Sequence, residues 1–219
     1  MSVSEEAPAT AIQPAASAPS IADPGPLGLA AFALTTFLLS AANAKWMNNA
    51  TGDAWLGYAF AYGGLCQLLA GMWEFRNKNV FGATAFGSYG GFWIGLGLWV
   101  QLVATKPPAG TSATAWAAAT GHDLGWILLA WAIFNTYMLL MATQVNAAVF
   151  AVFLTLEITE IVLFIGGFTA NANLTKVGGY IGVITAIVAW YTSAAGVSNG
   201  IGGSKIKLPV GKPLFGSAS

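Results

Sequence analysis

Two glutamates lie where an ionised side chain is costly. Glu157 and Glu160 are near the middle of the apolar run Ala147–Ala170, and an ionised carboxylate at the centre of a membrane-spanning helix costs about 2.5–3.5 kcal/mol. They are three positions apart, so on a helix they are neighbours and each disfavours ionisation of the other. Such a pair could take up and release a proton inside a membrane. It could equally hold helices together through hydrogen bonds to Thr, Asn or Tyr side chains.

The remaining residues form no recognisable catalytic or metal-binding set. His122 is the only histidine, and we expect the neighbouring Asp123 to cap a helix rather than to serve an active site. Cys66 is the only cysteine, which excludes an intramolecular disulfide and a cysteine metal site. Charged residues make up 7% of the chain and the net charge is zero, which argues against a nucleic-acid partner. We therefore expect no enzyme activity, no metal and no cofactor.

Helices that cross a membrane must position the two glutamates. Between Leu27 and Val197 the chain is almost entirely apolar, and about 20 apolar residues span the hydrocarbon core as a helix. Six runs have about this length: Leu27–Ala44, Ala54–Phe75, Val80–Ala104, Leu124–Thr143, Ala147–Ala170 and Val177–Val197. The expected fold class is an all-α membrane protein with a six-helix transmembrane domain at residues 25–199. The one long joint, Lys106–Asp123, is expected to be a loop.

Both ends of the chain differ in composition from the apolar runs. Residues 1–24 are rich in Ala, Pro and Ser and lack Lys and Arg, which predicts a disordered tail rather than a signal peptide or an anchor. Residues 200–219 are similar, with three lysines among Gly and Pro, and we expect an unstructured cytoplasmic tail. An even number of spans places both termini on the same side of the membrane. That side holds five Lys and Arg residues, and the opposite side holds three. This bias favours cytoplasmic termini in a multi-pass plasma-membrane protein.

Glycines recur at helical spacing in two of the runs. Gly87, Gly91 and Gly95 are four residues apart in the third run, and Gly178 and Gly182 repeat that spacing in the sixth. Small residues at this interval let helix backbones approach closely in a membrane. The spacing predicts helix packing, and it leaves open whether the partner helix belongs to the same chain or to another copy.

Two segments carry specific motifs. Residues 23–29 read Asp-Pro-Gly-Pro-Leu-Gly-Leu, similar to an Asn-Pro-Ala-Pro-Leu-Gly-Leu signature at the mouth of a first helix. Residues 62–93 contain Tyr-Gly-Gly-Leu-Cys-Gln, Ala-Gly-Met-Trp-Glu-Phe, Asn-Val-Phe-Gly-Ala-Thr-Ala-Phe and Ser-Tyr-Gly-Gly-Phe-Trp, in that order. In these motifs the chain resembles the acetate uptake transporter family, which includes the bacterial succinate–acetate permease and fungal acetate transporters. With the six runs, the resemblance covers about residues 23–197.

The resemblance implies a homo-hexamer in which each subunit has its own path for small carboxylates. Phe32 and Tyr89 match aromatic residues that narrow this path in the family, and Leu156 matches the third member of the constriction. Ordinary helix packing is the alternative for all three. At about 100° per residue, Glu160 lies about 40° from Leu156 around the helix and Glu157 about 100°. Glu160 is therefore the better candidate for proton coupling.

A path for acetate needs hydrogen-bond donors that replace water and an apolar narrowing that admits a methyl group. The first helix could supply both, since its N-terminus after Pro26 should present free backbone N–H groups and its small and polar residues share one face. The candidates for substrate contact come from this helix and from the two matching segments: Leu27, Gly28, Thr35, Thr36, Tyr62 and Gln67. For Gln67, a hydrogen bond across a tight helix contact is the first interpretation.

Two acidic residues near predicted helix ends also have structural alternatives. Asp23 stands where the family signature has Asn, and we favour a cap on the first helix over a place in the path, where it would repel an anion. Glu74 is within reach of Arg76 and Lys78. A salt bridge is the simplest interpretation of that arrangement.

The sequence thus predicts a secondary transporter or channel for acetate and similar small carboxylates that also moves protons. An ammonium or ammonia exporter is an alternative in the same class, because that activity has been proposed for fungal relatives. A non-transporting membrane sensor is an alternative of another class, although the short loops argue against it. The expected partners are small carboxylates, protons, the lipid bilayer and other copies of the chain.

Overall fold

The computed structural model describes residues 21–48 and 53–215, and within these ranges every regular element is helical. Residues 1–20 of the expected disordered tail lie outside the described part of the chain. Seven α-helices and two π-helical segments follow one another: α1 (Gly25–Asn43), α2 (Leu56–Phe60), a π-helical turn (Ala61–Cys66), α3 (Gln67–Arg76), α4 (Val80–Trp99), a second π-helical turn (Val100–Ala104), α5 (Ala113–Ala142), α6 (Ala147–Phe168) and α7 (Ala172–Gly200).

Four of these helices are long and apolar enough to cross a membrane: α1, α5, α6 and α7. The other two predicted runs are also helical, but each includes a π-helical turn. The run Ala54–Phe75 contains α2, the first π-helical turn and most of α3, and the run Val80–Ala104 contains α4 and the second turn. The π-helical geometry adds a residue to a turn and is often found at functional sites.

The segment Lys106–Asp123 is not the loop that we expected. α5 begins at Ala113, because Ser112 accepts a hydrogen bond from the Ala115 N–H at 3.2 Å and caps the helix. The following residues are rich in alanine, which has the highest helix propensity. Asp123 consequently lies inside the helix, and its predicted role as an N-cap is wrong.

The bundle is built from close helix pairs. α1 packs mainly against α7, α6 against both α5 and α7, and α3 against α4. Glycines make several helix crossings possible. A Cβ added at Gly71 would overlap the Gly87 backbone nitrogen, and one at Gly90 would lie 2.6 Å from the Leu68 nitrogen. By contrast, a Cβ at Gly91 or Gly95 would meet no atom within 4 Å. The predicted glycine row of α4 is therefore only partly used inside the chain.

The C-terminal residues form an ordered segment instead of the expected unstructured tail. Residues 201–215, which we call the C-terminal strap, run back across the ends of the last three helices. The Leu214 N–H donates to the Thr143 carbonyl at 2.7 Å, the Ala148 N–H to the Val210 carbonyl at 2.9 Å, and the Tyr191 hydroxyl to the Pro209 carbonyl at 2.6 Å. Composition concealed this order because the strap is fixed by backbone hydrogen bonds rather than by apolar burial.

Candidate functional site

Three cavities lie between the helices in the described part of the chain. The wide cavity, of about 450 Å³, is lined by the C-terminal halves of α1, α4 and α6, including Leu39, Leu96 and Leu163. The strap cavity, of about 360 Å³, is lined by the N-terminal ends of the same three helices and by Val210 of the strap. α1, α4 and α6 therefore run in the same direction from the strap cavity to the wide cavity.

The third cavity lies between the other two and is very small. It measures about 20 Å³ and is lined by Phe32, Tyr89 and Leu156, which we call the constriction, together with the buried Gln67. The Phe32 and Tyr89 rings meet edge to face with centroids 5.8 Å apart. A space of this size holds about one water molecule. The structure thus brings together the three residues that the sequence assigned to a narrowing, and acetate is too large to pass unless a side chain moves.

The two central glutamates have different surroundings. The Glu157 carboxylate accepts hydrogen bonds from Asn135 Nδ2 at 2.7 Å and from the Thr136 hydroxyl at 2.8 Å, so it joins α6 to α5. Glu160 is only 3% exposed, and its Oε2 atom has no hydrogen-bond partner. The structural interpretation therefore fits Glu157, whereas Glu160 remains a buried carboxyl group next to Tyr89.

Asn135 is a residue that the sequence reasoning missed. It is fully buried, accepts a hydrogen bond from the Tyr89 hydroxyl at 2.9 Å, and donates to the Phe153 carbonyl and to Glu157. This side chain fixes the Tyr89 ring in the constriction and ties it to α6. An Asn in the middle of an apolar run was the available signal, since amides in spanning helices usually bond to neighbouring helices.

The donors on α1 that we expected to contact substrate are already hydrogen-bonded within the protein. The backbone N–H groups of Leu27 and Gly28 donate to the Pro24 carbonyl at 3.1 and 3.2 Å, so the expected anion site at this N-terminus is already occupied by the chain. Gly28 packs against the Phe86 ring. Thr35 donates to the Ala31 carbonyl at 3.0 Å, which indicates a structural role.

The remaining candidates for substrate contact, Tyr62, Gln67 and Thr36, differ in their surroundings. Tyr62 is partly buried in the first π-helical turn and lines none of the three cavities. Gln67 lines the small cavity, and its Oε1 atom is buried without a partner. The Thr36 Oγ1 atom is also buried without a partner, one helical turn beyond Phe32.

Asp23 and Glu74 both line the strap cavity. Asp23 accepts a hydrogen bond from the Gly25 N–H at 2.8 Å, which agrees with its expected role at the start of α1. Within the described residues, Glu74 makes no ion pair with Arg76 or Lys78, and the predicted salt bridge is wrong. The Glu74 side chain is instead turned inward, 1% exposed, and accepts from Asn77 Nδ2 at 3.1 Å.

The chain is similar to a known protein family and to a solved structure. The model of the GPR1/FUN34/yaaH family matches residues 7–210 of the chain. A solved structure described as the bacterial acetate channel SatP superposes with a TM-score of 0.75 and 32% sequence identity, covering 87% of this chain and 99% of that one.

Three curated relatives carry names that describe transport. Ammonia transport outward protein 2 of Saccharomyces cerevisiae is 38% identical and acetate permease A of Emericella nidulans 39% identical, each over 81% of this chain. The chain spans only 62% of the length of each. The succinate-acetate/proton symporter SatP of Escherichia coli is 32% identical over 88% of this chain and 96% of its own length.

Proposed function

Because this chain belongs to the GPR1/FUN34/yaaH family, we propose that it moves acetate and similar small carboxylates across the plasma membrane, together with protons. The observation that carries the proposal is the constriction of Phe32, Tyr89 and Leu156, which separates two cavities along one bundle. An apolar narrowing of this kind admits a methyl group and excludes hydrated ions. Acetate and the proton appear in the name of the bacterial relative, and for this chain both are part of the proposal.

Transport through this bundle requires a local rearrangement. The small cavity has room for about one water molecule, so the side chains of Phe32, Tyr89 and Leu156 must move apart for each acetate. Their movement opens a brief apolar gap rather than a continuous water column, which keeps other solutes out. The substrate crosses this gap with least cost when it is neutral, since burying an unpaired carboxylate is expensive.

The proposed assembly is a homo-hexamer of six-span subunits with cytoplasmic termini. Gly91 and Gly95 support a contact between copies, because both are exposed on α4 and neither faces another part of its own chain. Small residues in such a row allow a neighbouring helix to approach closely in the bilayer. In this orientation the strap cavity opens to the cytoplasm and the wide cavity to the outside.

Ammonia export is the second candidate, and the name of the yeast relative is the observation that favours it. The constriction offers it little support. An ammonium ion at this position would be attracted to an ionised carboxylate or to the face of an aromatic ring, and the edge-to-face contact of Phe32 with Tyr89 already occupies one such face.

Uptake into proteoliposomes tests the proposal. We expect labelled acetate to enter vesicles that contain the protein, faster under an inward proton gradient, and we expect excess ammonium to leave this uptake unchanged. Leu156→Trp should abolish uptake by filling the constriction, and Phe37→Trp on the outer side of α1, where Phe37 packs against Trp190, serves as the matched control. Acetate entry equal to that of empty vesicles would refute the proposal.

A further inference from the structure

Both ends of the C-terminal strap carry large apolar side chains on the surface beside lysines. Ile206, which lies between Lys205 and Lys207, is 68% exposed, and Phe215, three residues after Lys212, is 71% exposed. The three lysines are exposed as well. Water solvates the lysines but is a poor environment for the two apolar side chains, so the natural surroundings of the strap must accept both kinds of group.

Hydrogen bonds hold these side chains at the surface. The Ile206 carbonyl accepts from the hydroxyl groups of Ser198 and Ser204 at 2.6 and 2.8 Å. Lys207 Nζ donates to the Asn199 carbonyl at 3.0 Å, at the end of α7. The other end of the strap is fixed by its bonds to the end of α5. The exposure of the apolar side chains is therefore a property of the folded backbone.

The middle of the strap faces the bundle instead. Val210 lines the strap cavity, and a Cβ added at Gly211 would lie 2.6 Å from the Cβ of Ala147 on α6. Gly211 also has a φ of +74°, a conformation that favours glycine. The strap is thus anchored at its middle and leaves its lysines and its terminal apolar side chains free for contacts outside the chain.

The joint between α3 and α4 shows the same combination at the same end of the bundle. Arg76 and Lys78 are exposed there, next to Phe75, which is 60% exposed, and Val80, which is 76% exposed. This joint connects two of the apolar runs, and it borders the strap cavity through Glu74. The strap and the joint therefore lie at one level, where the chain leaves the membrane.

The charge at this level is positive. Among the residues that the structure describes, Asp23 is the one exposed acidic side chain at this end, because Glu74 is buried. Clusters of Lys and Arg beside spanning helices attract anionic lipid headgroups, and apolar side chains at the interface enter the boundary between headgroups and acyl chains. An acidic peptide or a nucleic acid would pair with the lysines but would leave Ile206 and Phe215 in water. An anionic lipid surface accepts both.

We propose that the C-terminal strap is a binding site for the headgroups of anionic phospholipids. Lys205, Lys207 and Lys212 pair with lipid phosphates, and Ile206 and Phe215 enter the acyl boundary. The site lies outside the path between the cavities and does not depend on the substrate. Because the strap also forms part of the wall of the strap cavity, lipid bound there steadies the rim of that cavity.

Lipid binding to the purified full-length protein tests the site. Native mass spectrometry should show tighter binding of phosphatidylglycerol than of phosphatidylcholine. A triple variant with Lys205→Gln, Lys207→Gln and Lys212→Gln should bind phosphatidylglycerol about 100-fold more weakly, since each lysine near an anionic surface contributes about fivefold. The control variant replaces three exposed lysines at the opposite end of the bundle by Gln: Lys45, Lys106 and Lys176. It has the same change in charge and should keep the wild-type affinity.

Hydrogen exchange in lipid nanodiscs gives a readout that is local to the strap. Phosphatidylglycerol should slow exchange in residues 201–215 of the wild type and of the control variant, but not of the triple variant. Soluble glycerol phosphate should not slow it. A double variant with Ile206→Ser and Phe215→Ser keeps every charge and should weaken binding by more than about tenfold, because both side chains lose their apolar surroundings.

Three results would overturn the site. The first is equal affinity for the two lipids, and the second is wild-type affinity for phosphatidylglycerol in the triple variant. The third is slow exchange in the strap that follows association of subunits in neutral lipid, which would assign this surface to a neighbouring copy of the chain. All substitutions are at exposed positions, and size-exclusion chromatography verifies that each variant is folded.

Discussion

Phe32 and Tyr89 set the width of the constriction, so shortening either should change which substrates compete. We expect Phe32→Ala and Tyr89→Ala to improve inhibition of acetate uptake by succinate about tenfold, equivalent to about 1.4 kcal/mol, because a longer dicarboxylate no longer has to displace a ring. Phe37→Ala removes an aromatic ring from the same helix outside the cavity and should leave the competition profile unchanged. Identical profiles in all variants would show that the two rings only pack helices.

Glu160 and Glu157 should differ in the pH dependence of uptake. A glutamine keeps the size of the side chain but cannot titrate, and only Glu160 has a carboxyl oxygen buried without a partner. We therefore expect Glu160→Gln to flatten the pH profile of acetate uptake, while Glu157→Gln retains the wild-type shape. If the Glu160→Gln protein follows the wild-type curve at equal protein level, coupling resides in protonation of the substrate itself.

Glu157 should matter more for stability than for transport. Removing its carboxylate leaves the Thr136 hydroxyl without this acceptor and takes one of two acceptors from Asn135 Nδ2. We expect Glu157→Ala to lower the free energy of unfolding by about 1–3 kcal/mol, and Glu157→Gln to lower it less. Thermal unfolding in detergent, monitored by size-exclusion chromatography, measures the difference in stability between the two variants and the wild type.

The sequence indicates where a residue lies along its own helix, but not which residues of other helices surround it. The family resemblance assigned Phe32, Tyr89 and Leu156 to one narrowing, and the three do line the same small cavity; their role in transport stays a prediction. The different environments of Glu157 and Glu160 depend on which residues of α5 face them, and periodicity on α6 alone contains no such information. The donors at Leu27 and Gly28 were misjudged because the Pro24 carbonyl, just before the helix, already accepts from them.

At the scale of elements, the N-terminal part of α5 should depend on its cap. The Ser112 hydroxyl accepts from the Ala115 N–H, and loss of such a cap costs about 0.5–2 kcal/mol. We expect Ser112→Ala to speed hydrogen exchange in residues 113–121, and Thr111→Ala, one residue earlier, to have no such effect. Equal exchange in both variants would show that packing against the second π-helical turn, where Trp116 donates to the Ala104 carbonyl, holds this end of the helix.

This part of α5 also shows why hydropathy misplaces element boundaries. His122 and Asp123 interrupt the apolar pattern, so the predicted span began after them, although both are accommodated within a continuous helix. Hydropathy reports the environment of a residue, whereas helix formation follows local propensity and capping. The residues that precede His122 form a wall of the wide cavity through Thr114, Ala117 and Ala118, a role that a loop prediction could not anticipate.

At the scale of the whole molecule, two adjacent glycines allow folding and the proposed assembly to be tested separately. A side chain at Gly90 would collide with Leu68 of the same chain, whereas one at Gly91 would meet nothing within 4 Å. We expect Gly90→Leu to prevent folding, and Gly91→Leu to give a folded protein that no longer assembles into the proposed hexamer. Native mass spectrometry in mild detergent measures the second effect, and unchanged hexamers in the Gly91→Leu protein would place the subunit contact elsewhere.

The C-terminal strap has a consequence for how the protein is made. Its residues leave the ribosome after every helix described here, yet they bond to the end of α5 at Thr143, to the start of α6 at Ala148 and to α7 at Tyr191. The strap can therefore dock only after all three of these helices have been inserted into the bilayer in their final positions. Docking of the strap therefore reports that these three helices are in place, and a chain cut short before residue 201 would leave the Thr143 carbonyl without the N–H donors of Leu214 and Phe215.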